Sequence, residues 1–447
     1  MEKRNAEFSL KFTFTFKKPI LPASNSRFVS WLVQFLSEFL SLNQYFVYFW
    51  IVKCRNYATR QSGKTLVAIL SDHSLKQTTQ REMTQNKPIP CPECDREKYF
   101  EGLCYACNNR KLREHYELMT KDQIETTIEN IIDKIETIDN WEEVYKDFSG
   151  LLAYQDIDTT EIAKSAIEKN IFYPPTLYRN VSEEIQNKLI ELILKPDCKD
   201  ANHILSCLSV IGSEKVREIF YELEQNPLPW RKKLHVNPSF YAELGGWTFD
   251  DSGKRIELNY KECYSITKEE REDNAIKIGE AKSETCSVCN CQTVNILTIN
   301  GNDERLSFLG LNGNLKIPIC PNCASMCEKT IIRYQLDGES TFEIVEPFGE
   351  ENYISEEDLK KLTTNNLKLS RIKKPVYFSC GHDDVSTIGG NPEWVQDWQY
   401  ESCPDCQKKM KLLSAISWDQ VLDGSEGILY IEICKDCSII VTFHQQT

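Results

Sequence analysis

Twelve of the 19 cysteines fall into six C-x-x-C pairs, and that pattern is metal chemistry. The last two pairs are CPDC (Cys403, Cys406) and CKDC (Cys434, Cys437), separated by the 27 residues 407–433. An earlier couple is CSVC (Cys286, Cys289) with CPNC (Cys320, Cys323). The first is CPEC (Cys91, Cys94) with CYAC (Cys104, Cys107), nine residues apart. Zn2+ takes four ligands in a tetrahedron at a Zn–S distance of about 2.3 Å. Two cysteines two residues apart reach one ion from a single tight turn, and two such turns complete the shell. A four-sulfur shell leaves no position open, so the chemistry is structural rather than catalytic. The expectation is about three structural Zn2+ ions per chain. Disulfides and free thiols are the competing uses of these sulfurs; matched couples in a long acidic chain favour zinc in a reducing compartment.

Each couple needs elements that bring its turns together. Between Cys406 and Cys434, KKMKLLSAISWD and GILYIEI read as strands around the turn DGSEG, and SIIVTF follows as a third. VNILTIN and NLKIPI are the strands of the second ribbon, with KTIIRYQL and STFEIVEPF continuing the sheet. ISEEDLKKL is a short helix capped by Ser355. In the first module, DREKYFEGL allows one short hairpin and NNRKLREHYELM a helix. The knuckle, hairpin and knuckle at a helix start resemble a small treble-clef or rubredoxin-like finger. Arg110, Lys111 and Arg113 would give that helix a faint basic face, read here as solvated rather than DNA-reading.

The fold class expected is α+β and multi-domain: a zinc finger (83–118), a helical segment (119–226), a β-rich region with a zinc ribbon (227–373) and a C-terminal zinc-ribbon domain (374–447). In the helical segment Thr120 and Gln123 fit a capping box, and Ile124, Ile128, Ile131, Ile132, Ile135 and Ile138 make one apolar stripe. Further helices are predicted at 141–152, 159–168, 182–194, 200–211 and 213–225, with Ser182 and Ser213 as N-caps. Residues 267–280 read as a charged helix capped by Thr267 with Glu270. The surplus residues Cys291, Cys327, Cys380 and His382 leave the ligand sets open: Cys291 or Cys327 could replace a ligand, whereas Cys380 and His382 read as a turn. Cys198, Cys207 and His203 read as core or surface, and Trp394, Trp398 and Trp418 as core.

Residues 1–82 differ from the rest. They hold 12 Lys+Arg and 5 Asp+Glu, a net of +7, which leaves −21 of the total −14 to residues 83–447. They read as a doubtful N-terminal extension. The apolar run 28–52 would be a membrane span only if native and inserted, and Gln34, Glu38, Asn43 and Gln44 interrupt it.

Two resemblances add to this reading. HILSCLSVIGSEKVREIFYEL, two short amphipathic helices meeting at Gly212 and Ser213, resembles a HEAT-type repeat, which implies a surface for a protein partner. IGGNPEWVQ, CPDCQKKMKLL and GILYIEICKDC, with Gly389, Gly390, Pro392, Trp394 and Gln396, resemble the C-terminal part of the bacterial YwqG-like family. More distantly, they are similar to the C-terminal domain of programmed-cell-death-protein-2-like proteins. That resemblance covers residues 374–447 and implies a mostly β domain with an inserted zinc ribbon and no established activity.

The function expected is that of a cytoplasmic zinc-binding interaction protein with a protein partner, not an enzyme. One alternative is a thiol-disulfide oxidoreductase using a C-x-x-C pair, which needs a depressed thiol pKa at a helix start. Another is a nucleic-acid-binding zinc-ribbon protein, disfavoured by the −21 charge. No H-E-x-x-H, G-x-S-x-G or phosphate loop occurs, so hydrolase chemistry finds no motif.

Overall fold

A computed structural model describes residues 88–140, 143–382, 385–422 and 425–446. The extension 1–82, its apolar run and part of the turn DGSEG lie outside the described residues. Residues Ile89–Thr447 form one compact unit. The fold is α+β, as expected, with helices gathered first and strands after. No helix among the described residues is long and apolar enough to cross a membrane.

After a hairpin of β1 (Ile89–Pro90) and β2 (Glu97–Lys98), eight α-helices follow among the described residues before the next strand. They are α1 (Tyr105–Glu117), α2 (Lys121–Asp133), α3 (Glu143–Gln155), α4 (Thr160–Glu168), α5 (Glu183–Ile193), α6 (Ala201–Ile211), α7 (Glu214–Gln225) and α8 (Pro238–Leu244). At the starts of α2, α5 and α7 side chains satisfy orphan backbone N–H groups. Thr120 Oγ1 accepts from Gln123 N at 3.3 Å while Gln123 Oε1 accepts from Thr120 N at 2.8 Å, a complete capping box. Ser182 and Ser213 cap α5 and α7 one way only, each hydroxyl accepting from a backbone N–H, Ile185 N at 3.4 Å and Val216 N at 3.2 Å. The isoleucine stripe turns inward as read: Ile131, Ile135 and Ile138 are buried, in one core with Phe148, Leu151, Ile162, Leu205 and Phe220. The stripe does not ride on one helix, because α2 ends at Asp133 and Ile135 and Ile138 sit on a 3-10 turn.

The strands are β3 (Trp247–Phe249), β4 (Arg255–Glu257), β5 (Tyr260–Lys268), β6 (Ile276–Thr285), β7 (Gln292–Asn300), β8 (Asn314–Ile319), β9 (Cys327–Tyr334), β10 (Ser340–Pro347), β11 (Leu367–Leu369), β12 (Ser386–Gly390), β13 (Lys411–Ser417), β14 (Ile428–Cys434) and β15 (Ile439–Gln445). Two short helices, α9 (Glu356–Thr363) and α10 (Trp418–Val421), lie among them. An eight-stranded antiparallel sheet runs β10-β9-β15-β14-β13-β12-β5-β11, and a three-stranded sheet runs β6-β7-β8. Alternation assigns the two faces of β14. Leu429, Ile431 and Ile433 enter the core shared with Ile278, Val294 and Ile317, whereas Tyr430 and Cys434 enter a second core with Tyr400, Leu412, Val441 and Phe443. The large sheet therefore takes strands from both sides of residue 373.

Residues 267–280 are not a helix. They form the end of β5, a charged turn and the start of β6. The run EEREDN has helical composition, but its charges close a turn. Arg305 grips Asp273 at 2.9 Å through both terminal nitrogens, and Arg271 contacts both Glu269 and Asp273. Tyr264, Ile266, Ile276 and Ile278 alternate into the core on either side, so tertiary pairing overrides local propensity.

Gly389 and Gly390 have φ of 67° and 77° at a β-bulge where β12 meets β5. A Cβ on Gly389 would lie 2.2 Å from the Glu262 carbonyl oxygen. Only glycine permits both this conformation and this approach.

Candidate metal centres

All twelve paired cysteines come together as three quartets, and within each quartet the four sulfurs lie within 4.8 Å of one another. The quartets are the expected ones: Cys91, Cys94, Cys104, Cys107; Cys286, Cys289, Cys320, Cys323; and Cys403, Cys406, Cys434, Cys437.

The backbone explains how. At Cys91, Cys286 and Cys403 the chain makes the same turn. The N–H of residue i+4 donates to the carbonyl of the first cysteine, at 3.0, 2.9 and 2.9 Å. The first cysteine's own N–H donates to the carbonyl of residue i+5 (Arg96, Cys291, Lys408), at 2.8, 2.8 and 2.9 Å. The residue after the second cysteine takes a left-handed conformation in four pairs: Asp95 (φ 57°), Asn290 (59°), Gln407 (60°) and Ser438 (55°). That conformation reverses the chain tightly enough to aim both sulfurs at one point. The partner turns differ. Cys104 is the N-cap of α1 and Cys107 lies in its first turn. Cys320 and Cys323 follow β8, and Cys434 and Cys437 form the turn between β14 and β15.

Spacing tests whether the quartets suit metal. A tetrahedral shell with M–S of about 2.3 Å sets S···S at about 3.8 Å, against about 2.05 Å in a disulfide. The sulfurs stand 3.5 Å apart at Cys94 and Cys104, 3.5 Å at Cys289 and Cys320, 3.8 Å at Cys286 and Cys323, and 3.8 Å at Cys406 and Cys434. All are free thiols. Backbone N–H groups aim at the sulfurs: Cys104 N at Cys91, Val288 N at Cys286 and Cys323 N at Cys320, each at 3.4 Å. The donor set and its spacing fit a thiophilic divalent cation.

Electrostatics agree. The Cys104 N–H draws the Cys91 thiol down to about 6. The sulfur of Cys406 pushes Cys437 up to about 12, and burial pushes Cys434 up to about 11. Four thiolates at this spacing oppose one another, and a cation among them turns repulsion into attraction. Outside the quartets, charged pairs brace the turns. Arg110 reaches Cys107 Sγ at 3.7 Å and Glu93 at 2.9 Å, and Lys111 meets Glu93 at 2.6 Å. The faint basic face of α1 is thus largely paired within the finger. Lys408 meets Asp436 at 3.1 Å across the two turns of the third centre.

Of the surplus residues, Cys291 stays with the second quartet, its thiol against that of Cys320, while the others take partners elsewhere. Cys291 lies buried against the second quartet as the i+5 residue of its turn, with Sγ 3.6 Å from its neighbour's carbonyl at Gln292. Cys327 faces Thr330 at 3.9 Å. Cys380 donates to the Pro392 carbonyl at 3.7 Å, and His382 Nε2 sits 3.1 Å from the Lys146 carbonyl with its ring against Tyr116. Cys207 is buried and donates to Phe172 O at 3.2 Å, whereas His203 is exposed. Trp418 is core, while Trp394 and Trp398 are half-buried.

Sequence reading missed a polar layer beside the third centre. Glu432 is fully buried on β14; Oε2 accepts the Glu401 N–H at 2.8 Å, and burial holds its carboxyl well above the usual range. Buried Glu243 pairs with Lys409 at 3.0 Å, joining α8 to the third centre. The signal was a lone charge in the apolar run ILYIEIC.

These observations define an α+β protein with three four-cysteine clusters able to hold metal ions. The chain is similar to a Salmonella typhimurium protein called uncharacterized protein YpfL, 26% identical over 289 residues. The similarity takes in 61% of this chain and 65% of that protein, so the chain spans just under two thirds of its relative. No family model and no solved structure matches.

Proposed function

We propose that each quartet holds one Zn2+ as a structural ion and that the protein works by binding another protein in the cytoplasm, not by turnover. The observation that carries the metal reading is the spacing of 3.5 to 3.8 Å between sulfurs, which suits ions and not disulfides. With every position filled by sulfur, a bound ion contributes folding energy and leaves no site for substrate. Such an ion would fix the turns that carry β7, β13, β14 and β15 and the start of α1.

The interaction reading draws on the helical segment 119–226, whose likeness to a HEAT-type repeat is part of this proposal, as is the likeness of residues 374–447 to the YwqG-like family. The −21 charge of residues 83–447 suits a basic protein partner rather than nucleic acid. Elemental analysis of protein purified without added metal tests the metal reading: three zinc per chain supports it, and near zero overturns it. Affinity capture with wild type and with a variant altered only on exposed residues of α5 and α7 tests the helical surface. A partner retained equally by both counts against it.

A further inference from the structure

The two ends of the eight-stranded sheet are unlike. β11 is three residues long and lies against β6. β10 runs for eight residues, pairs among the described residues with β9 alone, and has no fully buried residue. Six of the seven residues of β14, by comparison, are buried. An edge strand presents a row of N–H and C=O groups that no other strand uses.

The chemistry around this edge has one sign. Residues 334–359 hold nine Asp+Glu and no Lys or Arg. Glu343 and Glu346 are exposed on the strand itself, and Arg333, opposite Thr341 in the hairpin, is already held by Asp405 at 2.9 Å through both nitrogens. Beyond the strand, Phe348 and Tyr353 are 68% and 65% exposed. A recess of about 470 Å³ lies beside Phe348, lined also by Ser287, Val288, Pro347, Gly349 and Glu350.

We propose that the outer edge of β10 accepts a ninth strand from a lysine- or arginine-rich extended segment of a partner protein. Strand addition supplies main-chain hydrogen bonds, and alternate side chains supply selectivity. Carboxylates on an edge keep like strands away, which disfavours a second copy of this chain. The same carboxylates attract a basic strand, whose apolar side chains meet Phe348 and the recess. The left-handed Glu346 (φ 46°) has no partner in the ladder between the pairs Val345–Lys329 and Pro347–Cys327, so Ser340 to Val345 is the uninterrupted segment for pairing. This inference takes the interaction reading as its start but places the contact away from the helices, so either can fail alone.

The test is fluorescence anisotropy of the full chain, zinc-loaded, with a labelled, capped Lys-Val-Lys-Val-Lys-Val peptide. A second peptide, N-methylated at alternate residues, keeps the charge and cannot add as a strand. Saturable binding is expected, weakened about tenfold or more by N-methylation and by a similar factor in Glu343→Lys/Glu346→Lys. Zinc content and circular dichroism confirm that the variant is folded, and the N-methylated peptide tests the edge on the unaltered protein. No binding, equal binding of both peptides, or unchanged binding by a folded variant overturns the proposal. Failure of capture through α5 and α7 would leave this result untouched.

Discussion

Replacing Cys434 by serine removes one sulfur from a turn that is also the β14–β15 connection. The strands it joins lie inside the eight-stranded sheet, and behind it stand Tyr400, Met410, Leu412 and Tyr430, all buried. Leaving three thiolates crowded around a weakened site resembles breaking a buried charge cluster, a loss of about 3–5 kcal/mol. That is a large part of the roughly 5–15 kcal/mol by which domains are stable. Cys91→Ser provides the contrast. The finger's core is little more than Cys91, Cys104 and Cys107, so on the proposed reading its folding would depend almost wholly on a bound ion. α1 is held independently at its other end, where Tyr116 donates to Asp147 at 2.9 Å and Glu117 meets Lys374 at 2.8 Å. Both variants should lose one zinc of three. Only Cys434→Ser should shift the urea midpoint followed by tryptophan fluorescence, while Cys91→Ser should lose hydrogen-exchange protection across residues 89–103. Equal midpoint shifts, or three zinc retained by Cys434→Ser, would refute this reasoning.

Gly389→Ala forces a Cβ to within 2.2 Å of a carbonyl oxygen at positive φ, and chemical denaturation should show a loss of about 2 kcal/mol or more. At Asp273, burial alone would raise the carboxyl, but hydrogen bonds from Arg305 and the Ala275 N–H outweigh it and hold the value at about 2. The stabilisation is present above the unfolded value of 3.8 and lost as pH falls through 2; Asp273→Asn should cost roughly 2 kcal/mol at pH 7, read by urea melts. At His382, burial depresses the imidazole value, with the Lys146 carbonyl acting against it. The unfolded chain therefore takes up that proton first. Stability is full above 6.5 and declines as pH falls below it, and His382→Gln should flatten that decline in melts run with buffered zinc.

Local signals carried much of this structure. The C-x-x-C turns, the Thr120 box and the Ser182 and Ser213 caps are decided within a few residues, and each stands where sequence placed it. Signals that depend on distant partners were silent. Nothing near Glu269–Asp273 reveals that Arg305 will fold those charges into a turn, so composition pointed to a helix. Nothing in residues 227–373 shows that β5 and β9 flank strands from beyond 373. Glu432 was visible as a lone charge, but its burial follows from the register of β14 against β15, which only the assembled sheet sets.

The central claim concerns what the sulfurs hold. X-ray absorption at the zinc edge, on protein purified without added metal and quantified per chain, tests it most directly. Three zinc per chain, each with four sulfurs at about 2.3 Å, is the expected result. Metal well below stoichiometry, nitrogen or oxygen in the shell, or a mass showing the paired cysteines joined as disulfides would contradict it.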